Sequence, residues 1–91
     1  MLRMTESAGK HGVTYREIAY AVLHYAGMQD IRDRDGMDAV AFVGPRHPGA
    51  LEEDYIEVIV KEAGPGEFVA FHAMTVTDVW RPLIRPHKRD R

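Results

Sequence analysis

The stretch Tyr55-Ile56-Glu57-Val58-Ile59-Val60-Lys61-Glu62-Ala63-Gly64-Pro65-Gly66-Glu67-Phe68-Val69-Ala70-Phe71-His72-Ala73-Met74 decides the fold. Two runs rich in β-branched and aromatic residues flank Ala63-Gly64-Pro65-Gly66, where proline and glycine favour a turn. The pattern predicts strands over 55–61 and 67–74, joined as an antiparallel hairpin. Centring the turn on Gly64-Pro65 sets Ile56 opposite Ala73, Val58 opposite Phe71 and Val60 opposite Val69, so that one face is wholly apolar. The same register sets Tyr55 against Met74, Glu57 against His72 and Lys61 against Phe68 on the other face. Side chains alternate with period two, so a slip of one residue would scramble this sorting.

An apolar sheet face needs a cover, and the sequence upstream supplies one. Thr14-Tyr15-Arg16-Glu17 is a capping box: the Thr14 hydroxyl can accept from the Glu17 amide, and the Glu17 carboxylate from the Thr14 amide. Val13 and Ile18 have the spacing of a hydrophobic staple. Ile18, Ala21, Val22 and Tyr25 then share one helical face, and Arg16, Tyr20 and His24 another. A helix is expected over 15–26, ended by Gly27 in a left-handed conformation, with Ile18 and Val22 packed on Ile56, Val58 and Phe71.

Between helix and hairpin, Met28 to Arg34 reads as a polar edge strand, Asp35-Gly36 as a hairpin turn, and Ala39 to Val43 as a more buried strand. Gly44 to Glu53 is a loop broken by Pro45, Pro48 and Gly49. After the last strand, Thr77 is expected to cap a short helical turn through Arg81, which Pro82 and Pro86 keep from growing. Residues 1–9 show no periodicity and read as a flexible lead-in. The expected architecture is one α+β domain over 10–82: an N-terminal helix on a three- to four-stranded antiparallel sheet, a short C-terminal helical turn, and a basic tail over 83–91.

Composition narrows the function classes. Ninety-one residues, 45% hydrophobic and 29% charged, suit a single folded domain. With no cysteine, disulfides, thiolate metal sites and thiol nucleophiles are excluded. No apolar run approaches a membrane span and the N-terminus has no apolar signal core, so a cytoplasmic protein is expected. The net charge of −2 is uneven: residues 81–91 carry +4 and residues 1–80 carry −6. An acidic body does not suit general nucleic-acid binding, whereas the basic end could touch RNA or an acidic partner.

Few residues could carry chemistry. There is no phosphate loop, no dinucleotide fingerprint and no metal-ligand spacing among the histidines, so no cofactor and no metal are expected. The only serine, Ser7, falls in the lead-in. The constellation that stands out is Glu57 opposite His72 on the face the core does not claim. A carboxylate within reach of an imidazole orients the ring, and such a pair could serve as base and acid in cleaving RNA at the 2′-hydroxyl. The other reading is a cross-strand polar pair on a half-exposed sheet. His11, just before the helix, could bind phosphate near its positive end or simply pack over the first turn. Arg46, beside His47 in the proline-bounded loop, and Arg81 are further candidates for holding phosphate.

Lys10-His11-Gly12-Val13-Thr14-Tyr15-Arg16-Glu17 resembles the signature of BrnT-type toxins: lysine, histidine, glycine, valine, serine or threonine, an aromatic, any residue, glutamate. The resemblance spans roughly residues 10–81 and includes a final strand, Phe71-His72-Ala73-Met74, leading into a short helix. It implies a RelE-like ribonuclease fold. It also implies an RNA-cleaving toxin of a type II toxin-antitoxin system, neutralised by a DNA-binding antitoxin of ribbon-helix-helix or similar type. His72 and Glu57 would then be catalytic, and His11, Arg46 or Arg81 would hold phosphate. The reading from another class is a non-enzymatic protein-interaction module of the same fold, self-associating through an exposed sheet edge.

Overall fold

The structure, a computed structural model, describes residues 1–84. It is α+β: β1 (Leu2–Met4), α1 (Tyr15–Leu23), β2 (Gly27–Arg32), β3 (Asp38–Gly44), β4 (Ile56–Gly64) and β5 (Glu67–Thr75), with short 3-10 turns at Ser7–Gly9, Glu52–Asp54 and Arg81–Ile84. One sheet holds all five strands in the order β1-β5-β4-β3-β2. No helix among the described residues is long and apolar enough to cross a membrane.

The helix starts where the capping box says it should. Thr14 Oγ1 accepts from the Glu17 amide at 3.1 Å, and Glu17 Oε1 accepts from the Thr14 amide at 2.9 Å. Val13 and Ile18, the staple pair, are both buried. The helix ends earlier than its apolar spacing predicts, at Leu23 with His24 as C-cap. Gly27 does not take a left-handed conformation. It opens β2 instead, paired with Val43, and it must be glycine because the chain at Leu83 crosses directly over it: a Cβ on Gly27 would lie 1.9 Å from the Leu83 carbonyl oxygen. Gly44 plays the matching role under the helix, where a Cβ would meet the Ala21 carbonyl oxygen at 2.6 Å.

The sheet is larger than expected and mixed. Residues 1–9 are not a loose lead-in, since Leu2, Arg3 and Met4 pair in parallel with Phe68, Val69 and Ala70. The helix is therefore the second regular element, not the first. The Tyr15 hydroxyl donates to the Leu2 carbonyl at 2.7 Å and ties the helix start to this added strand. Of the basic tail expected over 83–91, Leu83 and Ile84 belong to the last 3-10 turn and the rest lies outside the described residues.

The hairpin register differs from the expected one by two residues at its open end. Pro65-Gly66, not Gly64-Pro65, forms the turn, because Gly66 takes the positive φ of 73° that the second corner position requires. Ile56 pairs with Thr75, Glu57 with Met74, Val58 with Ala73 and Ile59 with His72. Phe71 is then an extra residue, and Val60 pairs with Ala70. That bulge moves Phe71 out of the helix-facing row, where the Lys61 ammonium lies 4.9 Å from its ring centre. The core under the helix joins Ile18 and Ala21 to Ile56, Val58, Val60, Ala70 and Ala73, with Val22 and Phe42 packed against it. Each large aliphatic buried there contributes about 1.5–3 kcal/mol by removal from water.

The first hairpin is also wider than a two-residue turn. Asp33 Oδ1 accepts from the amides of Asp35 and Met37, both at 2.9 Å, and Asp33 N donates to Met37 O at 2.8 Å. Gly36 supplies the positive φ.

Candidate functional site

Period-two alternation puts Glu57 and His72 on the sheet face opposite the helix. They are not directly across from one another, as the expected register had it, but diagonal neighbours. His72 Nε2 still lies 2.8 Å from Glu57 Oε2. The expected same-face placement held although the register did not, because a shift of two residues preserves the face.

Glu57 is 3% exposed, and among the described residues it is the single charged residue that is buried. An ion in that position must have its lone pairs occupied. The partner is the chain just after β5: Thr77 donates both its amide and its hydroxyl to Glu57 Oε1, each at 2.7 Å. Thr77 in turn starts the last turn, its carbonyl accepting from Trp80 N at 3.1 Å and Arg81 N at 2.9 Å. The helical turn expected there is present, but the Thr77 side chain serves the glutamate instead of the cap. Composition and spacing held no signal for this contact. It depends on residues 20 apart in sequence meeting at the end of a sheet.

With Glu57 as carboxylate, the short contact requires the proton to be on Nε2 of His72, since a carboxylate only accepts. Nδ1 of the neutral ring is then the free lone pair. The His72 side chain is 30% exposed, so solvent and ligands reach it. The exposed His11 ring stands edge-on to it, with centroids 6.2 Å apart. Thus His11, expected before the helix, is brought to the Glu57–His72 pair by the loop that joins β1 to α1.

The two arginine candidates have other partners. Arg46 Nε donates to Asp54 O and Nη2 to Thr75 Oγ1, both at 2.8 Å, while Nη1 lies 3.8 Å from Glu17 Oε2. It braces the 45–55 loop against the helix start and the end of β5, on the helix side of the sheet. Arg81 Nη2 donates to Val76 O and Nε to Asp78 Oδ1, both at 3.3 Å. Elsewhere on the Glu57 face, Lys61 Nζ donates to Asp33 Oδ2 at 3.0 Å. That hydrogen bond, followed by those from the Met37 and Asp35 amides, holds the Asp33 carboxyl below its ordinary value. Among the described residues no group of histidines and carboxylates has the arrangement of a metal site.

Comparison of the chain with protein-family models, with curated proteins and with solved structures returns no match.

Proposed function

We propose that the chain is an RNA-cleaving toxin of BrnT type, in which His72 is the base and His11 the acid. The observation that carries this reading is the His72 imidazole held by a buried, fully hydrogen-bonded Glu57, with a second imidazole 6.2 Å away. A carboxylate that fixes one ring nitrogen leaves the other aimed and available, the arrangement a general base needs. In the proposed step, His72 Nδ1 takes the 2′-hydroxyl proton as that oxygen bonds to phosphorus. The P–O5′ bond breaks, and the 5′-oxygen takes a proton from the His11 imidazolium. The products are a 2′,3′-cyclic phosphate and a free 5′-hydroxyl. The signature around Lys10-His11-Gly12-Val13 supports the same reading, and a DNA-binding antitoxin is the neutralising partner it implies.

The test is induced expression scored for growth arrest, together with cleavage of RNA by the purified chain. His72→Ala should lower cleavage by about 10²–10⁴-fold, and His11→Ala should lower it too. Wild-type protein without toxicity or cleavage, or a His72→Ala variant as active as wild type, would sink the proposal. One observation favours the second reading, a non-enzymatic interaction module. Arg46 and Arg81 are committed to protein acceptors, which leaves phosphate without those cationic holders. An inactive but well-folded chain that binds a protein partner would support that module.

A further inference from the structure

Helix α1 is short for the sheet it covers. Its nine residues span about 14 Å, whereas the nine-residue strands β4 and β5 run about 30 Å. The uncovered part of the helix-side face forms a groove of about 710 Å³. Its floor is Val40, Phe42 and Val60, and its walls include Leu23 and Phe68. Leu23 is 75% exposed and Phe68 41%, and with the floor they make one contiguous apolar patch.

The rim is acidic. Asp30, Asp38 and Glu62 border the groove. Asp38 has a distant partner in Arg32, at 3.8 Å. The Asp30 and Glu62 carboxylates make no hydrogen bond or ion pair among the described residues. The nearest lysine along β4, Lys61, turns its ammonium to Asp33 on the opposite face. A free carboxylate rim around an apolar floor selects an occupant that is apolar on one side and cationic along its edges.

We infer that this groove docks an amphipathic helix of a partner protein, apolar on one face and flanked by lysine or arginine, which completes the layer that α1 begins. A helix presenting apolar residues at i, i+3/i+4 and i+7 fills such a floor, and its flanking cations meet Asp30, Asp38 and Glu62. The inference does not rest on RNA cleavage, because the catalytic proposal concerns the opposite face. A catalytically dead chain would still bind.

The experiment uses the full chain and two labelled helical peptides of about fourteen residues, about 20 Å long, with the same leucine pattern and either lysine or glutamate on the flanks. Fluorescence anisotropy should give binding of the lysine peptide at least about tenfold tighter than that of the glutamate peptide. Leu23→Glu, at an exposed position, should weaken it about tenfold with unchanged circular dichroism. Glu62→Lys should weaken the lysine peptide and strengthen the glutamate peptide. Glu53→Lys, on an exposed turn away from the groove, should change neither. No binding, equal binding of both peptides, or equal weakening by Glu53→Lys would overturn the inference. So would sedimentation of the chain alone as a dimer that Leu23→Glu dissolves, since the face would then belong to a second copy.

Discussion

The two faces of the sheet are held by different physics. Under α1, Ile18, Ile56 and Val58 are fully buried in a cluster of apolar side chains, held by burial and close packing. On the opposite face, the segment after β5 is clasped by two hydrogen bonds from Thr77 to the Glu57 carboxylate, which also fixes His72, and Leu83 is laid over Gly27 beside the buried Ala41 and Val43. Apolar packing tolerates a shift of two residues, which keeps each side chain on its face, provided that the new aliphatic neighbours fill the space. A polar clasp does not: its energy depends on each donor meeting its acceptor. The helix face therefore carries most of the stability, and the clasp face carries position, both for the C-terminal segment and for the His72 ring.

The largest expected effect tests the packed side. Ile18→Ala should cost about 3–4 kcal/mol, because the site is closed on all sides and would keep a cavity. It should show as a lower denaturation midpoint with every amide losing protection together. A loss below about 1 kcal/mol would mean the helix is not seated on β4 and β5 as described.

Glu57→Ala comes next, at about 2–3 kcal/mol, since it strands two Thr77 donors and frees His72. Here hydrogen exchange should rise first in residues 76–84 while α1 stays protected. Uniform loss of protection would erase the distinction between the two faces.

Thr14→Ala should cost about 1 kcal/mol, through the Glu17 amide left without an acceptor. An unchanged midpoint would show that the capping box contributes nothing measurable.

The smallest effect is electrostatic. The lowered pKa of Asp33 means that the folded state holds its carboxylate form better than the unfolded chain does. The associated stabilisation is present above the ordinary value of 3.8 and is lost as pH falls through the lower folded value. Wild type should exceed Asp33→Asn in stability at neutral pH, and the gap should shrink on acidification below about pH 4. A gap independent of pH would remove the Lys61 contact as its cause.

Position within the chain separates what was legible from what was not. The capping box, the staple and the last helical turn are contacts within four residues, and local chemistry suffices to read them. The shared face of Glu57 and His72 was legible too, because alternation survives an even shift of register. Their distance was not, since it required the Pro65-Gly66 turn and the bulge at Phe71. Gly27 reads as a helix stop from its neighbours, and only its pairing with Val43 makes it the start of a strand, with Leu83 overhead excluding any side chain.

The sequence by itself determined that a capped helix would cover an antiparallel hairpin, because capping and alternation are set by neighbours along the chain. Only the tertiary structure decided that Leu2–Met4 joins the sheet in parallel, that His11 comes to His72, and that Thr77 clasps Glu57. Each of those joins segments far apart in sequence. Three residues have too short a period to register as a strand, and a threonine twenty positions from a glutamate carries no mark of its partner. Their pairing exists only once the sheet has brought the segments together and excluded water from the carboxylate.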